Sequence, residues 1–148
     1  MMPFLLLLST VCLLVGPVYT IVYFIFLNSL FVFGDHFLPL DKKKPVYSKA
    51  WVLNFLLFVN LPLLILLYFV LGWYCATTDV LGFGHWVQTN LSINIVENRL
   101  NMQFYHYLFA ILSAGLALSA SGTVVGHELV HRTNDRISMW FGNWLIAF

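Results

Sequence analysis

The chain has very little charge and very little cysteine. Only 9% of its 148 residues are charged and 61% are hydrophobic, whereas soluble domains carry about 25% charged residues. A soluble protein of 17.0 kDa could not bury so much apolar surface, so the composition predicts that lipid surrounds most of the chain. With a net charge of +1 and no long basic cluster, the sequence gives no indication of nucleic-acid binding. Cys12 and Cys75 have neither metal-ligand spacing nor the spacing of a disulfide framework.

A basic segment is missing ahead of the first apolar run, which argues against a secretory signal peptide. At the other end, the apolar run that reaches Phe148 has no polar flank. We therefore expect residues 1–148 to be the N-terminal transmembrane part of a single longer domain.

Apolar stretches of membrane-crossing length alternate with polar segments. About 20 apolar residues cross a bilayer, and Gly16-Pro17 interrupts the first apolar run. We predict spans at 17–33, 51–73 and 104–130, a short or truncated segment at 3–15, and the start of another span at 139–148. Residues 35–49 and 75–103 are predicted to be loops. The expected fold is all-α, a polytopic integral-membrane helical bundle.

The positive charges cluster in two of the predicted loops. Lys42, Lys43, Lys44 and Lys49 flank one loop, and Arg132 and Arg136 flank another loop two spans later. Both loops are therefore predicted on the same side, which the positive-inside rule makes cytoplasmic. A bacterial inner membrane or the endoplasmic reticulum fits this pattern.

Two histidines stand where an apolar helix is predicted to meet water. His127 and His131 are four residues apart, so they lie on one helix face and can reach one metal ion. Ionisable groups at a membrane edge are costly and indicate a functional site. Glu128 is expected either to pair with Arg132 or to orient a ligand of the metal.

Other histidines divide between the two sides. Asp35 and His36 are predicted on the same side as His127, and they are further candidates for metal ligands. His85 and His106 are predicted on the far side, with His106 about 31 Å from His127 along the helix axis. These two histidines are expected at the membrane boundary rather than at the metal.

Two further patterns are predicted on the helix that carries the histidines. Gly115, Ser119, Gly122 and Gly126 form a predicted small-residue stripe, which favours close packing of another helix. On the histidine face stand Leu116, Ala120 and Val124, which could leave a channel for an alkyl chain. The alternative is that large side chains from other helices fill that space.

The segment Gly126-His127-Glu128-Leu129-Val130-His131-Arg132 resembles the first histidine box of the membrane alkane hydroxylase (alkane 1-monooxygenase) group. That group belongs to the fatty acid desaturase-like di-iron superfamily, and its first box reads His-Glu-Leu-x-His followed by Lys or Arg. Asp35 and Asp41, six residues apart and ahead of Pro45, are similar to the group's acidic segment, although Leu40 replaces a usual acidic residue. The group's other two boxes would fall after Phe148.

The resemblance implies an integral-membrane non-haem di-iron monooxygenase that hydroxylates alkanes or alkyl chains with O₂. It implies two iron ions, with His127 and His131 among their ligands, and an electron donor such as rubredoxin, ferredoxin or cytochrome b5. We expect the chain alone to be inactive. The alternatives are a fatty acid desaturase or fatty acid hydroxylase, a membrane HExxH zinc protease, and a non-enzyme whose two histidines are fortuitous.

Overall fold

The computed structural model describes residues 2–37, 50–132 and 134–147, and every regular element within them is helical. The helices are α1 (Met2–Val15), α2 (Pro17–Phe37), α3 (Ala50–Cys75), α4 (Phe83–Leu91), α5 (Ile95–Leu100), α6 (Phe104–Leu118), α7 (Val124–Val130) and α8 (Arg136–Ala147). A 3₁₀ turn at Val80–Gly82 precedes α4, and a π-helix at Ser119–Thr123 joins α6 to α7. The all-α prediction is confirmed.

Three of the described helical stretches are long and apolar enough to cross a membrane: Pro17–Gly34, Trp51–Cys75 and Phe104–Val130. They match the three predicted full spans. A helix satisfies all of its backbone hydrogen bonds internally, as a segment that crosses lipid requires. The shorter α1 covers about 21 Å, less than a hydrocarbon core of about 30 Å. The helices extend beyond the predicted spans: α2 continues to Phe37, and α8 begins at Arg136, three residues before the apolar run that starts at Met139.

Contacts between the helices fix their directions. Met2 shares a groove with Asn54 and Arg132, and we call this end of the bundle the histidine end. At the other end, which we call the loop end, Asn98 donates hydrogen bonds to the carbonyl oxygens of Leu14 and Val15 at 2.9 and 3.1 Å. The beginning of α3 and the end of α7 therefore meet at the histidine end, as predicted. The lysines at 42–44 and 49 lie outside the described residues.

The helices pack around α3 and present apolar side chains outward. Five core residues on α3 are at most 2% exposed: Leu64, Leu67, Val70, Trp73 and Tyr74. Many large apolar side chains on α2 and α3 are more than half exposed, among them Val18, Val22, Ile25, Phe33, Trp51 and Phe55. A protein surface with so many exposed apolar groups is compatible with integration in a membrane.

The prediction of a loop over residues 75–103 is wrong, because α4 and α5 form within it. Asp79 holds the start of α4: its Oδ1 accepts from the N–H of Gly84 at 2.7 Å and from Trp73 Nε1 at 2.9 Å. The Arg99 guanidinium lies 4.4 Å from the centroid of the Trp73 ring and donates to the carbonyl of Thr78 at 3.0 Å. These short helices therefore depend on contacts with residues that lie outside them.

The π-helix at Ser119–Thr123 changes which small residues face α8. A Cβ on Gly126 would lie 2.7 Å from Ile146 Cγ1, and one on Gly122 would lie 3.0 Å from the Leu145 carbonyl oxygen. A Cβ on Gly115, however, would have no atom of another described residue within 4 Å, and Ser119 is exposed. The predicted stripe is wrong for these two residues, because a π-turn adds a residue and rotates the next part of the helix by about 100° relative to a continuous α-helix.

Candidate metal centre

The two histidines of the predicted box lie side by side at the end of α7, where His127 is in the last turn and His131 is the C-cap residue. The His131 N–H donates to the His127 carbonyl oxygen at 3.1 Å, so the helical turn is complete between them. Their ring centroids are 6.1 Å apart and their planes differ by 22°. Both side chains are exposed, and they point away from the bundle at the histidine end.

This geometry suits two ligands of one ion. A bond from a metal to an imidazole nitrogen is about 2.1 Å long, so two ligating nitrogens are at most about 4 Å apart. Two histidines four residues apart on a helix are the arrangement in which both imidazoles bind one ion. His127 and His131 therefore fit two positions of a coordination sphere.

Within residues 2–37, 50–132 and 134–147, no three His, Cys, Asp or Glu side chains converge in a way that could hold a metal ion. His36 lies at the exposed end of α2, where its ring contacts Phe37 at a centroid distance of 4.9 Å. The side chain of Asp35 and the whole of Asp41 lie outside the described part. That Asp35 and His36 are ligands stays a prediction.

Glu128 forms the ion pair that its spacing predicts. Its Oε1 lies 3.3 Å from Arg132 Nη2, and Arg132 Nη1 donates to Asn54 Oδ1 at 2.6 Å. Arg132 therefore connects the end of α7 to the beginning of α3. Glu128 is exposed and Arg132 is half-buried, and ion pairs that solvent reaches contribute little to stability. Its value here is that it fixes the orientation of the turn that carries the histidines.

The turn after His131 is held by Asp135. Its N–H donates to the Arg132 carbonyl oxygen at 2.9 Å, while its Oδ2 accepts from Ser138 Oγ at 2.6 Å. The bonds from Ser138, together with one from the Ile137 N–H, hold the pKa of the Asp135 carboxyl below its usual range. The start of α8 is therefore fixed close to the histidine pair.

Leu116 and Ala120 face α1 and α2, where they line a cavity of about 10 Å³ together with Leu5, Tyr23 and Phe31. A cavity of this size holds about one water molecule. Val124, one turn after Ala120, is 64% exposed and stands apart from this cavity. Side chains of α1 and α2 thus fill the space beside Leu116 and Ala120, and the alkyl channel stays a prediction.

The other two described histidines lie at the loop end. His106 is buried, and its Nδ1 accepts from the Gln103 N–H at 3.0 Å, so it caps α6. His85 is exposed on α4. Neither approaches His127, which agrees with the separation that the sequence predicts.

One feature of the histidine end has no counterpart among the sequence predictions. A groove of about 550 Å³ runs between α1, α3 and α7, and it is lined by Asn54, Asn60, Val125, Glu128 and Arg132, among others. Asn60, an amide inside an apolar span, is the one sequence signal that could have indicated it.

Comparison with protein-family models, with curated proteins and with solved structures finds no match to this chain. The resemblance to the membrane alkane hydroxylase group therefore rests on the histidine box and its position in the chain.

Proposed function

We propose that this chain is the histidine-bearing part of an integral-membrane non-haem di-iron monooxygenase that hydroxylates alkanes or alkyl chains with O₂. The observation that carries the proposal is the pair of exposed, nearly parallel imidazoles of His127 and His131 at the end of a helix long enough to cross a membrane. Two such ionisable groups at that depth are costly without a ligand.

The residue types suit this chemistry. Imidazole is a good ligand for iron, and a site built on it retains coordination positions for O₂, which the iron would activate when bound. His127 and His131 supply two ligands, and the Glu128–Arg132–Asn54 contacts hold their turn in place. A di-iron centre requires further ligating residues from outside the described part of the chain.

A site at the membrane edge also suits the two reactants. An alkyl substrate dissolves in lipid, while an electron donor such as rubredoxin, ferredoxin or cytochrome b5 approaches from water. Arg132 and Arg136 flank the histidine pair, and the positive-inside rule favours the cytoplasmic side for such residues. We therefore propose that the pair faces the cytoplasm, in a bacterial inner membrane or the endoplasmic reticulum.

The test is oxygen incorporation by membranes that contain the whole domain to which this chain is proposed to belong, supplied with isotopically labelled O₂, a reduced electron donor and alkanes from hexane to hexadecane. We expect labelled primary alcohol from the unmodified protein, and none from His127→Ala or His131→Ala. His85→Ala is the matched control, because this exposed histidine lies at the loop end, and it should retain activity.

Other outcomes would indicate a different class of activity. An unsaturated product without labelled oxygen indicates a desaturase, and peptide cleavage that requires zinc and Glu128 indicates a protease. Membranes that convert no alkane, with variants indistinguishable from the unmodified protein, contradict the proposal.

A further inference from the structure

The groove at the histidine end has an apolar wall and one buried polar atom that has no hydrogen-bond partner among the described residues. Leu53, Leu57 and Val125 supply apolar lining, and Arg132 and Glu128 stand at the mouth. Its volume of about 550 Å³ is in the range of small-molecule sites, which occupy about 300–1,000 Å³. The groove lies on a different face of α7 from His127 and His131, neither of which lines it.

The polar group without a complete set of hydrogen bonds is the side-chain amide of Asn60. Its side chain is 1% exposed, and its Nδ2 donates to the carbonyl oxygens of Leu56 at 2.7 Å and Leu57 at 3.3 Å. Its Oδ1 is buried and has no hydrogen-bond partner within the described part of the chain. A buried acceptor without a donor is unfavourable, so a donor from outside the described residues would stabilise Asn60 at this position.

The depth of Asn60 restricts what that donor can be. Asn60 follows Trp51 by nine residues of continuous helix, which is about 14 Å along the axis. That distance brings it close to the middle of a hydrocarbon core of about 30 Å. Acyl chains offer no hydrogen-bond donors at that depth, and the described residues supply none. A molecule that carries a polar group into lipid would supply the missing donor.

The charges at the mouth restrict the ligand further. Arg132 and Glu128 lie 3.3 Å apart and neutralise each other, so the groove offers no net charge that would attract an ionic head group. A neutral head that donates a hydrogen bond, followed by an apolar chain, matches both the orphan acceptor and the leucine-lined wall.

We propose that this groove binds a single-chain amphiphile with a hydroxyl head, such as a long-chain primary alcohol. The hydroxyl donates to Asn60 Oδ1, and the alkyl chain lies against Leu53, Leu57 and Val125. Because the histidines do not line the groove, binding does not require a metal, and the inference stands apart from the proposed oxygenase activity.

The test is equilibrium dialysis of the purified protein in lipid nanodiscs against radiolabelled 1-decanol and 1-methoxydecane. The ether has a similar chain and an acceptor oxygen but no donor. One net hydrogen bond corresponds to roughly a fivefold preference, so we expect the alcohol to bind about five times more tightly. Asn60→Leu, which replaces the amide by an apolar side chain of similar size, should abolish that preference.

Asn28→Leu is the matched control. Asn28 is also an amide within an apolar helix, where its Nδ2 donates to the Phe24 carbonyl oxygen at 2.8 Å, but it does not line the groove. This variant should keep the preference for the alcohol. A bulky substitution in the wall, Leu57→Trp, should weaken the binding of both ligands.

Equal binding of alcohol and ether by the unmodified protein overturns the inference, and it would indicate that bulk lipid fills the groove. That comparison needs no variant, so it holds even if Asn60→Leu fails to fold. The same measurement on the His127→Ala, His131→Ala double variant should give an unchanged preference. A double variant that loses metal and keeps the preference for the alcohol supports both proposals. Metal content tests the metal site and the alcohol preference tests the groove, so one proposal can fail while the other holds.

Discussion

Asp79 is the residue on which the arrangement of the loop end depends. Hydrogen bonds from the Gly84 N–H, the Trp73 indole and the His85 N–H, together with the nearby Arg99 charge, hold the pKa of its carboxyl below the usual range. These interactions all favour the ionised form. The carboxylate thereby joins the end of α3 to the start of α4.

Acid should loosen this contact. Because the folded-state pKa is depressed, the stabilisation from Asp79 is fully present above the unfolded value of about 3.9 and is lost as the pH falls through the lower folded value. We expect Trp73 fluorescence and protection of residues 76–91 from proteolysis to be constant from about pH 7 to pH 5 and to fall below about pH 4. Asp79→Asn, which cannot titrate, should show no such transition, and a transition that persists in this variant would contradict the assignment.

The contact between α7 and α8 is the element that presents the histidine pair. A Cβ on Gly142 would lie 2.8 Å from the backbone nitrogen of Val130 and 3.0 Å from the Gly126 carbonyl oxygen. Backbone atoms cannot move aside as a flexible side chain can. The two helices are therefore able to approach this closely only because glycine occupies the crossing point.

Two glycine substitutions should have opposite effects on stability. Gly142→Ala should destabilise the protein by about 1–3 kcal/mol, because it forces the helices apart. Gly115→Ala is the matched control, because none of the residues that the structure describes comes within 4 Å of its Cβ position, and alanine should stabilise the helix there by up to about 1 kcal/mol. Reversible unfolding in mixed micelles measures both. Equal effects of the two substitutions would show that the helices do not cross at Gly142.

The sequence predicts the long elements well and the short ones poorly. The runs at 51–73 and 104–130 are recognisable because a membrane span needs only length and apolar composition. The helices α4 and α5 are short, and their stability comes from partners distant in sequence, as when Asn98 bonds to Leu14. The π-helix at Ser119–Thr123 forms where α8 packs at Gly122, which no local pattern at 119–123 reveals.

In the candidate site, too, the sequence predicts the contacts between residues close in sequence and not those between distant residues. The spacing of His127 and His131 predicts that their rings are neighbours, and a single helical turn is enough to fulfil that prediction. The Glu128–Arg132 ion pair arises from spacing in the same way. The bond from Arg132 to Asn54 joins residues 78 positions apart, and the groove needs three helices, so local spacing predicts neither of them.

At the scale of the whole molecule, the bundle has two distinct ends. Asn54 and Arg132 meet at the histidine end, while Cys75 lies at the loop end and is exposed. If the histidine end faces the cytoplasm, a membrane-impermeant maleimide should label Cys75 in intact cells carrying Cys12→Ser. A reporter introduced by Asn134→Cys, with Cys75→Ser, should react only after lysis. The reverse labelling pattern would contradict the proposed orientation.

The central claim is that His127 and His131 hold iron, and the metal content of the purified protein tests it most directly. In protein that also contains the further ligands the proposal requires, produced in cells grown with added iron, we expect bound iron. His127→Ala and His131→Ala should lose it, and His85→Ala should retain it. Unchanged metal content in the double variant, or zinc at one ion per chain without iron, would contradict the account.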